Sequence, residues 1–325
     1  MAKSSSPKKS RSIYLDPSTD SKLVEIANES GTSVTNVVKE FLDEKVNQVN
    51  QNDSILPTIL VFSNFKGGVS KTTSVKEVGY NLSTEGYNVL LIDLDGQSNL
   101  SSSFSVYDSR NLPGYISDVI LADANGNRKE LVDVITHTEW ENLDLVPANL
   151  SFAAADNKIR SQEGGAIDRR LLYAIQDMLK VTSYDYIIID CPPTADSVVQ
   201  NAILAIQAGS SKSMIIVPVN ADVQAIEGMN RTLELVDTIS QDNRLSKPRV
   251  MVLWTQADER TNLFRDLYAE FKEVYPKLPV FNTVITASSK VGEARGALEP
   301  LSKYARGLKP TQRYQLLTQE ILSYR

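Results

Sequence analysis

Three groups of residues have the types and spacing to act on a phosphorylated ligand. The stretch Lys66-Gly67-Gly68-Val69-Ser70-Lys71-Thr72-Thr73 puts two lysines, two glycines and three hydroxyls into eight positions. Backbone N–H groups of such a glycine-bearing loop can cradle an anion, and a helix that starts there adds its dipole. Lys71 would reach the outer phosphates, and the Thr72 hydroxyl would ligate Mg²⁺. The pair Asp93 and Asp95, two residues apart, could both reach that Mg²⁺–phosphate region. Asp190 closes another apolar run and would accept from a Mg²⁺-bound water or from Thr72.

These residues need rigid elements to bring them together. Ile59-Leu60-Val61-Phe62 precedes the loop as a strand, and Thr73 to Glu85 follows it as a helix. Further strand candidates are Val89–Asp93, Leu143–Pro147, Tyr186–Asp190, Met214–Val219, Val250–Trp254 and Val280–Ile285, with helical stretches between most of them. Short helices are expected at Asp118–Leu121 and Glu130–Ile135. Several strands are apolar throughout, as when both faces are covered. The expected fold is α/β, a doubly wound, mostly parallel sheet. Ligands of such sheets sit at the carboxyl ends of the strands, where the loop and the acids fall.

The loop is not the plain phosphate-binding pattern, which wants glycine where Phe65 and Ser70 stand. With Lys66 ahead of Gly67-Gly68 and Lys71-Thr72 behind, it resembles the deviant Walker A motif of the ParA/MinD ATPases, a branch of the P-loop NTPases. Asp93-Leu94-Asp95-Gly96-Gln97 resembles that family's Asp-x-Asp-Pro-Gln segment, with Gly96 in place of the proline. Asp185–Pro193 resembles its Walker B strand, and Asp258-Glu259-Arg260-Thr261 its Asp-x-Arg-Thr turn. The likeness spans about 58–325. It implies ATP and Mg²⁺ as cofactors, and Lys71, Thr72, Asp95 and Asp190 as the carriers of hydrolysis. Asp95 would orient the attacking water, with Asp93 supporting it and possible at the metal. Residues 66–73 would bind the nucleotide, and Lys66 would reach across a homodimer to the partner's nucleotide. It further implies an ATP-sandwich dimer that binds DNA without sequence preference, a ParB-like centromere-binding partner that stimulates a weak intrinsic turnover, and a cytoplasmic, nucleoid-associated protein that segregates plasmid or chromosomal DNA. Ser70 departs from the family's glycine and adds constraint if the backbone takes φ > 0.

The first fifty residues read differently. Residues 1–10 are Ser- and Lys-rich, Ile13 and Leu15 suggest a short strand, Pro17 opens a helix and Gly31 ends it. Ser33 is a good N-cap for a second helix carrying Val34, Val37, Val38, Phe41 and Leu42. This succession resembles a ribbon-helix-helix DNA-binding module. Ser10, Ser12 and Tyr14 would then face base edges, and the backbone near Ser33 would clamp a phosphate. The resulting domain plan is 1–50 for the module, 51–57 as a polar linker and 58–325 for the ATPase. Autoregulation of transcription follows from the module as an expectation.

Composition bounds the alternatives. The chain has 325 residues, 42% hydrophobic and 23% charged, a net charge of −6, and Cys191 and His137 as its lone cysteine and histidine. That excludes an internal disulfide framework and makes a zinc or iron–sulfur site untenable. The acidic total hides a basic end: from Thr286 onward seven basic side chains face three acidic ones. Lys290, Arg295, Lys303, Arg306 and Lys309 are the candidate non-specific DNA contacts. Residues 316–325 form an apolar-faced helix with little lysine, which argues for packing on the core and against a membrane. Two other functions fit the same residues: a transcriptional regulator with a nucleotide-sensing domain, and an ATPase that positions a non-DNA cargo.

Overall fold

A computed structural model of the chain describes residues 16–42, 56–108, 112–123, 125–150, 152, 169–194 and 197–324. The chain divides into two compact units, Met1–Ile55 and Leu56–Arg325.

In the smaller unit, helix α1 runs Pro17–Glu29. Asp16 caps it, its Oδ1 accepting from the N–H groups of Ser18 at 3.0 Å and Thr19 at 3.1 Å, and Pro17 supplies the preset φ of a first helical position. Gly31 takes φ +64°, the left-handed value that lets the chain leave the helix. Helix α2 occupies 34–42 of the described residues, and Ser33 caps it by accepting from Asn36 N–H. Ala27 is the buried residue of α1, whereas Val24 and Ile26 stay exposed. The expected strand at 11–16, with Ser10, Ser12 and Tyr14, falls outside the described residues apart from Asp16.

The larger unit is built on a seven-stranded sheet: β1 Thr58–Phe62, β2 Val89–Asp93, β3 Thr136–His137, β4 Leu143–Val146, β5 Tyr186–Asp190, β6 Met214–Val219 and β7 Arg249–Trp254. The order is β3-β4-β2-β5-β1-β6-β7, parallel except for the β3–β4 pair. Alternate strand residues feed two cores. Ile59, Val61, Ile187, Ile189, Ile215 and Val217 face one side; Leu60, Phe62, Ile188 and Ile216 face the other. Every residue of β1, β2, β5 and β6 is buried, so apart from Thr58 and the terminal Asp93 and Asp190 the strands read as apolar runs.

Helices cover both faces. α3 (Lys71–Thr84) and the C-terminal α11 (Lys309–Ser323) lie on the Leu60 side; Tyr314, Leu317 and Ile321 of α11 are buried there. The Ile59 side is covered by α4 (Ile116–Ile120), α5 (Arg170–Met178), α6 (Ser197–Ala205), α7 (Val223–Asp242) and α8 (Asn262–Val274). Two short helices, α9 (Lys290–Gly296) and α10 (Leu301–Tyr304), connect to α11.

The expected strand at Val280–Ile285 is not one. Val280 makes only an isolated parallel bridge to Val252. The Glu320 carboxylate takes the N–H groups of Asn282 (2.7 Å) and Thr283 (2.9 Å), so those donors are lost to a sheet ladder. The short antiparallel β3, which carries His137, was not foreseen.

Candidate active site

The register of the sheet brings the chemical residues to one edge. Asp93 and Asp190 are direct partners at the carboxyl ends of β2 and β5, and Phe62, the last residue of β1, is opposite Asp190. The loop 63–70 leaves β1 there and enters α3 at Lys71. Gly67, Gly68, Ser70, Lys71, Thr72, Thr73, Asp95, Gln97, Asn99, Pro193 and Arg295 line one cleft over this edge. Six of the eight predicted loop residues and Asp95 thus line a cleft assembled from four segments of the chain.

The loop is held by its own side chains and by distant elements. Asn64 accepts from Lys66 N–H at 2.9 Å and donates to the carbonyls of Pro218 (2.7 Å) and Ala225 (3.1 Å). Helix α7 passes so close at Gly228 that a Cβ there would meet Asn64 Oδ1 at 2.3 Å and Lys66 N at 2.9 Å. The buried Lys71 ammonium donates back to the carbonyls of Asn64 (2.9 Å) and Lys66 (3.0 Å). Burial holds it below the ordinary lysine pKa, opposed by the charges of Asp190, Cys191 and Asp95. An arriving phosphate would restore the charged form and replace those two carbonyls as its partner.

Asp190 carries the plainest signal of a missing ligand. It is fully buried, and among the described residues neither carboxylate oxygen has a hydrogen-bond partner of normal geometry. Burial pushes its pKa well above the usual carboxylate range, and Asp93 pushes further; the nearby Thr72 hydroxyl and Lys71 ammonium oppose the shift. A buried carboxylate without donors is costly unless a cation or its bound water completes it. Among the described residues no three His, Cys, Asp or Glu side chains gather as a metal cage. One carboxylate and one hydroxyl fit Mg²⁺, which keeps waters and takes phosphate oxygens for the rest of its shell.

Asp93 has a different task. Its Oδ1 accepts from Asp95 N–H at 3.0 Å, and its Oδ2 from the N–H (2.9 Å) and hydroxyl (2.6 Å) of Ser101. Both oxygens are engaged in shaping the loop that carries Asp95. Asp95 accepts from Gln97 N–H at 2.9 Å and is only partly buried. Lys66 projects from the loop, its ammonium bonded to Gln224 Oε1 and 3.9 Å from Asp222 at the start of α7.

The basic candidates separate. Arg295 lines the cleft beside the loop. Lys290 is paired with Glu293 at 2.7 Å, Lys303 with Glu299 at 2.7 Å, and Lys309 with Glu259. Cys191 is buried, and His137 is exposed at the sheet edge, 2.7 Å from Asp144.

Two residues of the site were missed. Thr255 and Gln256 follow β7 and bond to the carbonyls of Val69 (3.0 Å) and Gly68 (2.7 Å). The available signal was their position: polar residues at the carboxyl end of a parallel strand.

Residues 57–248 match a family described as an AAA domain. The sporulation initiation inhibitor protein Soj of Bacillus subtilis is 30% identical over 264 residues, covering 81% of this chain and 97% of its own. The chromosome-partitioning ATPase Soj of Treponema pallidum is 28% identical over 265 residues, covering 81% and 96%. Among solved structures, the cobyrinic acid a,c-diamide synthase of Mycobacterium smegmatis with a bound ATP analog and magnesium superposes with a TM-score of 0.66 at 26% identity, covering 82% of this chain and 95% of that one. With the loop, the two acidic strand ends and the parallel sheet in place, the chain belongs to the ParA/Soj/MinD-type family of P-loop ATPases.

Proposed function

We propose that this chain is an ATP-hydrolysing DNA-segregation protein whose loop 66–73 binds ATP and whose Thr72 and Asp190 hold Mg²⁺. The observation that carries the reading is the fully buried Asp190 beside Lys71 and Thr72, its oxygens without a hydrogen bond of normal geometry among the described residues. Relatives named for chromosome partitioning support the cellular role. When bound, Mg²⁺ neutralises charge on the outer phosphates. Lys71 turns from the Asn64 and Lys66 carbonyls to the phosphates. Asp95, fixed by Asp93 and Gln97, orients a water for attack. Lys66 leaves Gln224 and completes the site of a second copy, which links ATP binding to dimerisation.

The dimer then binds DNA through phosphate contacts, with Lys290 and its neighbours as candidates and strong salt dependence expected. Residues 1–50 form a ribbon-helix-helix module that represses the chain's own operon, 51–57 link it, and 58–325 carry the ATPase. The two capped helices and the exposed Val24 and Ile26 support that module.

The test is phosphate release by the full chain alone, with bare DNA, with the product of the neighbouring gene, and with both. Slow turnover that rises about tenfold or more only with both supports segregation. Turnover indifferent to every addition would sink it.

A further inference from the structure

Ser70 has φ +65° and ψ +26°, the left-handed conformation that disfavours any residue with a Cβ. It is the last residue before α3, and its carbonyl accepts the Ser74 N–H at 2.9 Å. A loop bent this way normally uses glycine, so something else must hold the serine there.

Gln256 does. Its Nε2 donates both hydrogens to the loop, one to the Gly68 carbonyl at 2.7 Å and one to the Ser70 hydroxyl at 2.9 Å. Its Oε1 accepts from Asn220 Nδ2 at 3.2 Å, which fixes the sense of the amide. The preceding Thr255, fully buried, is bonded through its hydroxyl to the carbonyls of Val69 (3.0 Å) and Val219 (3.1 Å). Two consecutive residues after β7 thus take two consecutive loop carbonyls. An amide plane that turns its C=O toward β7 turns the next N–H the other way, toward the cleft. Gln256 itself sits at φ +53°, so the clamp is paid for with a second left-handed residue.

We propose that Gln256 is a positioning residue for the nucleotide loop and that Ser70 and Gln256 act as a pair where relatives of this loop use glycine. Because the Ser70 oxygen accepts from Gln256, its own proton is free to point elsewhere. Ser70 lines both the cleft over Lys71 and Thr72 and the adjoining cleft bounded by Gln256, Thr286 and Pro310. The hydroxyl therefore donates to a nucleotide oxygen, a contact glycine cannot make. This inference rests on the reading of the loop as an ATP site.

The test is binding of a fluorescent ATP analogue and a fluorescent ADP analogue, with Mg²⁺, to the full chain and to Gln256→Ala, Ser70→Gly and the double variant. Gln256→Ala leaves a strained serine without its clamp and should weaken binding about tenfold. Ser70→Gly should weaken it about threefold through the lost hydroxyl, and the double variant should be no weaker than Ser70→Gly, so that glycine rescues the missing clamp. Gln256→Glu, which keeps the shape but cannot donate to the Gly68 carbonyl, should bind as poorly as Gln256→Ala and gives the answer if that variant does not fold. Losses that simply multiply in the double variant, or Gln256→Glu binding as tightly as the unaltered chain, would overturn the pairing. An unaltered chain that binds neither analogue would instead overturn the ATP reading itself.

Discussion

Asp93 Oδ2 accepts two hydrogen bonds from Ser101, one from its N–H and one from its hydroxyl, and so ties the end of β2 to the loop eight residues on. Ser101 passes the tie further, its hydroxyl oxygen accepting the Ala148 N–H at 2.9 Å just beyond β4. The carboxylate is fully buried, and burial pushes its pKa from 3.8 to about 6 against these hydrogen bonds. A carboxyl whose folded pKa lies above its unfolded one stabilises the fold most when protonated. That contribution is complete below about pH 3.8 and is lost as pH rises through about 6. The span corresponds to roughly 3 kcal/mol, shared with the adjacent Asp190 as a coupled pair. Denaturation of the chain and of Asp93→Asn, followed from about pH 4 to about pH 8, should show the difference in stability between them falling with rising pH and levelling off above about pH 7. A difference that stays flat would mean Asp93 does not titrate in this range.

Glu77, one turn and a half into α3, is buried and bonds the N-terminus of α10: Oε2 accepts the N–H (2.9 Å) and hydroxyl (2.6 Å) of Ser302, and Oε1 accepts the Leu301 N–H. The neighbouring Lys76 donates to the carbonyls of Ser103 and Leu298. The helix that begins at the phosphate loop is thereby fastened both to the loop after Asp95 and to the basic segment before α11. Glu77→Ala should cost about 3 kcal/mol in urea denaturation, since it leaves buried donors without an acceptor, whereas Glu77→Gln should cost about half of that. Limited proteolysis should then cut first between 290 and 308. Unchanged urea midpoints would show that Glu77 holds nothing.

Gly228 reports how tightly α7 is packed on the loop. A methyl group there has no room beside Asn64 Oδ1 and Lys66 N. Gly228→Ala should push the loop off α7, destabilise the protein by about 1–3 kcal/mol and weaken ATP binding, as read by denaturation and nucleotide titration. A variant with normal ATP affinity would show that the loop does not depend on this approach.

The larger fold was legible where burial is simple. Tyr186–Asp190 and Met214–Val219 are strands over the residues expected, because both faces are covered and the apolar run has no gaps. Val280–Ile285 is also largely apolar and is not a strand: Phe281 and Ile285 donate to β7, but Glu320, 38 residues beyond Asn282, takes the N–H groups of Asn282 and Thr283 between them. The site divides in the same way. Lys66 to Thr72 and Asp190 announce themselves through contiguous residue types. Gln256, Thr255 and Gly228 do not: Gln256 meets Ser70 across 186 positions of chain, and only the register of β7 beside β6 makes them neighbours. Spacing rules see one segment at a time, and these contacts exist only once the sheet has formed.

If Lys66 completes the site of a second copy, as proposed, it must first give up a contact within its own chain. In one copy its ammonium is bonded to Gln224 and near Asp222, both outside the cleft, and it is about one-third exposed at 34%. Such a partly solvated contact is weak, on the order of 1 kcal/mol or less, so a bound nucleotide's phosphates in a second copy can outbid it. Lys71, buried and bonded to the loop carbonyls, serves its own cleft. The two lysines should therefore fail differently. Lys71→Ala should lose ATP binding by about a hundredfold, while Lys66→Ala should bind ATP within a fewfold of normal, remain a monomer with ATP, and lose at least about a hundredfold in turnover. Light scattering with a slowly hydrolysed ATP analogue, alongside phosphate release, separates these outcomes. A dimeric Lys66→Ala protein with normal turnover would confine Lys66 to its contact with α7.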